Sequence, residues 1–347
     1  MNATTAPTSA TTAATKEEDS TTTSFSSLHP DIIEAHILPR LDGPTLAATS
    51  CSSTTLHQLS SQDHLWSKKC HSTWPSTRSP RVCHVISTYP GGGPRNFFAH
   101  AFPLLEEDHS SSKLSRSSPS APPPSELISA VDIHYKDKLI FSKVQETETV
   151  TGWFRCSPFR IDLLEPKDVI PTPIELPDGD DTCTVIFNDM TLSWILIDPI
   201  GRLAVNLSSH KPVTVLRHWL TGEVQVCFAS ILAVARGHVQ CEIVVTCGVS
   251  EEGEMMQMRE ISLAIEDMDG MHRNGKECLG ILQRAMEGKK GKGRNRLEEG
   301  QRMYKEYLEM KKERRERKVR TERTLDILCV AFGVSCFVGF LCFIFFR

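Results

Sequence analysis

LHPDIIEAHILPRLDGPTLAATSCSSTTLHQLSSQDHLW, residues 28–66, is the stretch whose reading decides the architecture of this chain. Pro30 and Asp31 precede Ile32, and Glu34 follows Asp31 by three, the spacing of a capping box with Asp31 as N-cap. Ile33, Ile37, Leu38 and Leu41 then fall on one helical face, until Pro39 forces the helix to end or kink. Asp42-Gly43-Pro44 reads as a turn, with Pro44 suited to open a second helix carrying Leu46 and Cys51. Leu56 and Leu59 mark a short third helix. Asp63 is placed to cap a last one bearing Leu65, Trp66 and Cys70. Helices this short bury little apolar surface alone, so a partner covering one apolar face is physically reasonable.

Outward from this unit the composition changes sharply. Residues 1–24 are rich in Thr, Ser and Ala, lack the apolar core of a signal peptide and the arginines of a transit peptide, and read as a disordered tail. Residues 73–107 extend the helical unit. DHSSSKLSRSSPSAPPPSE, residues 108–126, is too polar and Pro/Ser-rich to pack and reads as a linker. Residues 127–269 carry short β-branched runs: Ile133–Tyr135, Lys138–Phe141, Thr184–Phe187, Leu192–Ile197, Arg202–Leu207, Val213–Leu216 and Val239–Val245. Turn signals at Asp178-Gly179 and Pro199-Ile200-Gly201 separate them. The fold class is therefore α+β: a small helical unit, an antiparallel sandwich-like domain, a helical stalk and one membrane helix.

The stalk is assigned to residues 270–324. It starts with an amphipathic helix over Lys276–Glu287, with Leu279, Leu282, Ala285 and Met286 on one face, and is broken at Gly288–Gly293. From Arg294 to Thr324 the chain has few breakers and dense charge. Glu298 with Arg302 and Glu313 with Arg317 form favourable i, i+4 pairs. Residues 325–346 contain a run of uncharged residues, ILCVAFGVSCFVGFLCFIFF over Ile327–Phe346, which as a helix spans about 30 Å, the hydrocarbon thickness of a bilayer. Eight basic residues flank it on the N-terminal side: Lys311, Lys312, Arg314, Arg315, Arg317, Lys318, Arg320 and Arg323. The positive-inside rule places that side, and the body, in the cytosol. The expectation is a tail-anchored, single-pass protein of the endoplasmic reticulum or another endomembrane. Its sequons at Asn2 and Asn206 then stay unglycosylated. Ala331, Ser335 and Gly339 recur every four residues, ordinary composition for a membrane helix. Cys329, near the cytosolic face, is a weak palmitoylation site.

The formal net charge of −4 hides an asymmetry. Residues 289–323 hold fifteen Lys/Arg against seven Asp/Glu, so the remainder of the chain is near −12. Beside a membrane span the basic run points to anionic headgroups and not to nucleic acid. The 12 cysteines form no C-x-x-C pair and sit mostly in apolar runs, a reduced-compartment pattern. Cys70-His71 and Cys83-His84 match no metal-site spacing. No G-x-S-x-G, P-loop, H-E-x-x-H or dinucleotide fingerprint is present, and Gly91-Gly92-Gly93 reads as a loop, so neither a catalytic site nor a cofactor is expected.

The helical stretch resembles an F-box. The apolar positions of that motif fall on Leu28, Pro30, Ile33, Ile37, Leu38, Leu41, Leu46, Cys51, Leu56, Leu59, Leu65 and Trp66, with His29 separating a Leu and a Pro that are usually adjacent. This assigns residues 25–72 to the F-box. Together with Leu41–Ala47, Trp74–Arg78, Trp153–Phe159 and the C-terminal span, the pattern resembles one plant family of probable F-box proteins. The resemblance implies that these residues dock on the Skp-type adaptor of a cullin-RING ubiquitin ligase, with a protein substrate held elsewhere and no bond chemistry in this chain. Residues 192–209 are also similar to part of a phloem-lectin module, which implies a glycan or small-ligand pocket. The residues themselves read as sandwich core, with Trp194, Trp153 and Trp219 buried. The competing reading is a membrane scaffold or trafficking protein without ligase function; a hydrolase or lipid-binding enzyme is a more distant one.

Overall fold

The structure is a computed structural model that describes residues 28–103, 122–175, 182–234, 237–250, 255–288, 290–291 and 296–347. The expected N-terminal tail, the Asn2 sequon, the Asp178-Gly179 turn and most of the expected linker lie outside the described residues.

The helical unit starts at α1 (Pro30–Ile32). Its cap is His29, whose Nδ1 accepts from Asp31 N at 3.3 Å; Asp31 sits inside the first turn and is not the N-cap that the capping-box spacing predicts. Ile33–Ile37 continues as a wide π turn, with Leu38 N bonded to Ile33 O, and Leu38–Arg40 closes as a tight 3₁₀ turn. Pro39 accounts for the change, because it lacks the N–H that a regular helix needs and its ring crowds the preceding turn. The Asp42 side chain caps α2 (Gly43–Thr49) by accepting from Thr45 N at 2.8 Å. Cys51, expected on this helix, lies in the turn after it. Then follow α3 (Thr54–Ser60), α4 (Asp63–Thr73), α5 (Pro80–Ser87) and α6 (Gly93–Ala101). Gln62 stands at the N-cap of α4 and makes no side-chain cap bond; Asp63, the sequence-predicted cap, is the first helical residue. Gly91, Gly92 and Gly93 all have positive φ and lead straight into α6, a helix that the loop reading of these glycines does not predict.

Among the described residues ten antiparallel strands form two sheets. In the first, β1 (Glu126–Tyr135) is flanked by β2 (Lys138–Glu148) and β5 (Met190–Asp198), and β6 (Leu203–Asn206) completes the order β2-β1-β5-β6. In the second, β7 (Thr214–Arg217), β8 (Val224–Val234), β9 (Gly237–Val249) and β10 (Met255–Asp267) run consecutively. The outer edge of β10 pairs with both β3 (Arg160–Asp162) and β4 (Ile170–Glu175). Lys136 and Asp137, both with positive φ, make the two-residue turn between β1 and β2, a backbone that Asn-Gly would have announced and Lys-Asp does not. Thr184–Phe187, read from its β-branched residues as a strand, is helical: α8 (Thr182–Asp189) buries Thr182 and Ile186, four residues apart on one face.

Burial along β1 and β5 is almost continuous and does not alternate. The reason is a third layer. Leu127, Val131, Ile133, Leu192, Trp194 and Leu196 face the second sheet, while Ile128, Ala130, Ile195, Ile197 and Ala204 face the helical unit and share a core with Leu38, Leu46, Trp66, Trp74 and Phe97. The order of layers is helices, first sheet, second sheet.

Two helices complete the body. A short helix, α7 (Gly152–Cys156), packs on α9 (Gly275–Glu287). The Asn274 side chain caps α9 through Glu277 N at 3.0 Å. Cys278, Leu279 and Leu282 of α9 enter the sandwich core, so this helix belongs to the β domain and is not part of a free stalk. The last helix, α10 (Arg296–Phe345), runs unbroken for 50 residues. Met303 and Tyr307 are buried against the body, whereas the apolar C-terminal stretch has no buried residue and is long and apolar enough to cross a membrane. Along α10, Arg302 pairs with Glu306 at 3.8 Å, where the sequence predicts Glu298; the predicted pair of Arg317 with Glu313 is present at 3.1 Å.

Candidate functional site

The twelve F-box positions separate by burial into three groups. Ile33, Leu38, Leu46, Leu65 and Trp66 are enclosed in the chain's own core. Ile37, Leu41, Leu56 and Leu59 are half-buried and pack on that core from outside. Leu28, Pro30 and Cys51 are exposed, Leu28 at 37%. The five enclosed residues thus lie beneath the half-buried and exposed ones, whereas the resemblance implies adaptor contact by all twelve. Ile32, which is not among the twelve positions, is a large aliphatic residue 45% exposed on α1 beside Leu28 and Pro30. The only signal for it in the sequence is the doubled Ile32-Ile33, of which a single helix can bury one member.

Trp66 shows how the enclosed group is held. Its indole N–H donates to Ser60 O at 2.7 Å, its ring lies 5.4 Å from Phe98, and the Arg95 guanidinium sits 6.0 Å from its centroid. Arg95 also donates to Ser61 Oγ at 2.8 Å and Ser50 Oγ at 3.0 Å, tying α6 to the ends of α2 and α3. A cavity of about 620 Å³ opens beside this cluster, lined among others by Pro44, His57, Trp66, Arg95, Asn96 and Phe102. Gly43 borders it, and its lack of a side chain is required by close approach: a Cβ there would stand 2.1 Å from Phe98 Cζ.

A buried carboxylate fastens the helical unit to the sheet. Asp132 of β1 accepts from Ser76 N at 2.9 Å, Ser76 Oγ at 2.5 Å and Ser142 Oγ at 2.7 Å. Burial pushes its pKa above the ordinary carboxylate value despite these donors. Next to it the Trp74 indole donates to Ser193 Oγ at 3.2 Å, and Ser193 pairs with Asp132 across β5 and β1. The Trp74–Arg78 motif is thus the joint between the helices and the first sheet.

The eight basic residues ahead of the apolar stretch fall into three groups. Lys311 bonds Glu266 at 2.7 Å, and Arg314 bonds Asp269 at 2.7 Å, holding the Asp269 carboxyl below its usual range; these two anchor α10 to the end of β10. Arg317 and Arg320 pair along the helix with Glu313 and Glu316. Lys312, Arg315, Lys318 and Arg323 are among no ion pairs of the described residues, and all but Lys312 lie beyond the docked turns of α10.

The three tryptophans expected in the β core behave differently. Trp194 is buried, with its indole N–H on Ser129 Oγ at 3.1 Å. Trp153 and Trp219 are 80% and 87% exposed, which overturns their assignment to the core. Trp153 projects because its neighbour Phe154 takes the interior position of α7, and Trp219 sits at the tip of the β7–β8 hairpin. Among the described residues the cysteines are all free thiols, and no three His, Cys, Asp or Glu side chains gather as a metal site. Cys70 is buried and donates to Pro94 O, and Cys83 donates to Thr77 O at 3.1 Å.

Comparison with known proteins gives a consistent set. A probable F-box protein of Arabidopsis thaliana is 47% identical over 325 residues, covering 93% of this chain and 94% of the relative. An F-box protein of the same plant is 41% identical over 337 residues, with 93% and 97% covered. Another is 44% identical over 330 residues, with 91% and 89% covered. No family model matches the chain, and no solved structure matches it.

Proposed function

The chain belongs to the family of plant F-box proteins that these relatives represent, and on that premise we propose that it is a non-enzymatic substrate receptor of a Skp-cullin-RING ubiquitin ligase, held at a membrane surface by α10. The observation that carries this reading is the apolar ridge of α1. Leu28, Pro30 and Ile32 stand in solvent at the edge of a helical unit whose own core is already complete without them. Aliphatic side chains of this size on a three-residue helix gain nothing from exposure, and a helical partner that covers them removes that cost.

Half-buried Ile37, Leu41, Leu56 and Leu59 continue the surface on which a Skp-type adaptor packs, and Cys51 lies in the turn between α2 and α3. The mechanism is proximity. The adaptor joins the ligase, the β domain holds a protein substrate, and the rigid joint at Trp74, Ser76 and Asp132 keeps the two surfaces at a fixed distance, raising the effective concentration of substrate at the ubiquitin-transfer centre. On this reading the body works at a cytosolic membrane face, which the basic flank supports through the positive-inside rule, with Arg315, Lys318 and Arg323 towards anionic headgroups.

The test is co-precipitation of adaptor and cullin with the tagged full chain from a solubilised membrane fraction. Wild type recovers both; Leu28→Asp with Ile32→Asp recovers neither while remaining in the membrane fraction. Recovery of neither by wild type favours the scaffold reading, and recovery of both by the double variant removes the α1 ridge as the docking surface.

A further inference from the structure

Chain direction fixes which end of the body meets the membrane. Tyr304 of α10 lies by Thr214, which pairs with Cys227 of β8. One turn on, the Tyr307 hydroxyl donates to Asp267 O at 3.4 Å; Lys311 reaches Glu266 and Arg314 reaches Asp269. The helix thus passes along the second sheet towards the C-terminal end of β10 and leaves the body at the turn Asp267–Arg273. From Arg314 to Leu325, the first residue of the assigned span, is about 16 Å of helix. The β7–β8 hairpin with Trp219 occupies the opposite end of the sheet, since Val224 pairs with Cys247 and Cys247 with Met258.

α7 is built onto this same membrane-ward turn. Phe159 N donates to Arg273 O at 2.8 Å, Gly275 N donates to Ser157 O at 3.0 Å, and Ser157 N donates to Trp153 O at 2.9 Å. A Cβ on Gly275 would stand 2.2 Å from Phe154 O, so α7 and the start of α9 are in contact through their backbones. Rigidly held there, Trp153 is 80% exposed and Met271 66% exposed. Arg155 and Lys276 are exposed beside them, while the acidic groups of the turn are already engaged: Asp267 and Glu277 by Arg273, and Asp269 by Arg314.

We infer that the Trp153–Met271 end of the β domain is a second membrane contact, in which Trp153 and Met271 enter the headgroup layer of an anionic bilayer and Arg155 and Lys276 face its phosphates. The inference rests on the membrane reading of α10. A tryptophan has the amphipathic ring that favours this layer, and the free charges of the patch are of the sign that anionic lipid attracts. Tilting α10 by about 20–40° towards the body, within the ordinary range for membrane helices, lowers this end to the surface. Two attachment points on one rigid body orient it, with the hairpin of Trp219 facing away into the cytosol.

The full chain, reconstituted in vesicles of phosphatidylcholine and phosphatidylserine, tests this through its own fluorescence. Replacing the phosphatidylcholine by an analogue brominated near the carbonyl end of its acyl chains quenches only tryptophans at the interface. The chain has five tryptophans, none within the span, so the expected loss is confined to the share of the emission that Trp153 contributes. That loss vanishes in Trp153→Phe and persists in Trp219→Phe. No loss in wild type, or an equal loss in Trp153→Phe, overturns the inference while the chain still resists alkaline carbonate extraction; a Trp153 that serves a protein partner gives this result. Release by carbonate instead defeats the membrane reading of α10 itself.

Discussion

Asp132 carries the joint between the helical unit and the sheet, and its replacement separates three effects. Asp132→Ala removes the acceptor for the N–H and hydroxyl of buried Ser76 and for the hydroxyl of exposed Ser142. The hydroxyls rotate to other acceptors at about 0.5–1.5 kcal/mol each, and the stranded Ser76 N–H costs about 1–3 kcal/mol. Relief from burying a carboxylate offsets part of this, leaving a loss of about 2–3 kcal/mol. Asp132→Asn keeps the shape and one acceptor and is expected within about 1 kcal/mol of wild type at neutral pH. The pH dependence has a definite sign. Burial raises the folded pKa above 3.8, so the native state holds this proton to higher pH than the unfolded chain does. The stabilisation this provides is complete below the unfolded value and is lost as pH rises through the folded one. Relative to the non-titrating Asp132→Asn, wild type is therefore most favoured at the acid end, and the difference declines as pH rises. Urea unfolding in detergent, followed by tryptophan emission, measures all three proteins. An Asp132→Ala variant within about 0.5 kcal/mol of wild type, or a difference from Asp132→Asn that grows with pH, refutes the argument.

Lys311→Ala strands Glu266, itself largely enclosed, and is expected to cost about 1–3 kcal/mol in the docking of α10, read as faster hydrogen exchange over residues 303–314 with β1 and β5 unchanged. Gly43→Ala drives a methyl into the Phe98 ring and is expected to lower stability by about 1–3 kcal/mol in the same unfolding assay. Alkylation with iodoacetamide followed by peptide mass spectrometry is expected to label Cys51 and Cys156 in the folded chain, and Cys70, Cys241 and Cys247 only after denaturation; the thiols of Cys70 and Cys247 are pushed by burial to about 12. Asn206 is expected to stay unglycosylated wherever the chain resides, because it is fully buried with its Oδ1 on Trp194 N and Ser208 N; an engineered sequon on an exposed turn is the informative topology probe.

The sequence was most legible where one physical requirement dominates. A run of uncharged residues from Ile327 to Phe346 admits few alternatives to a membrane-length helix, and Pro39, Asp42 and Pro44 punctuate the helical unit as their backbone chemistry demands. Legibility failed where tertiary context decides. Thr184–Phe187 has strand-forming residues and is helical, while β8 and β10, with Gln, Glu and Arg among their apolar residues, went unread. The F-box pattern located the apolar positions but not their direction. Ile33 and Ile32 are adjacent in sequence and point one to the core and one to solvent, and only the packing of the helical unit's core shows which. The average behaviour of tryptophan predicts a core place for Trp153 and Trp219 and says nothing of a helix whose interior place Phe154 already fills.

The most direct measurement of the central claim is the affinity of a purified Skp-type adaptor for the full chain in detergent, compared across wild type, Ile32→Asp and Trp219→Asp, with thermal unfolding recorded for each. Burying the exposed part of Ile32 is worth about 1–2 kcal/mol, and a buried aspartate adds to the loss, so Ile32→Asp is expected to weaken binding at least about tenfold without lowering the melting temperature, and Trp219→Asp to bind as wild type. Equal affinity of wild type and Ile32→Asp contradicts the claim that the exposed ridge of α1 is where the adaptor docks.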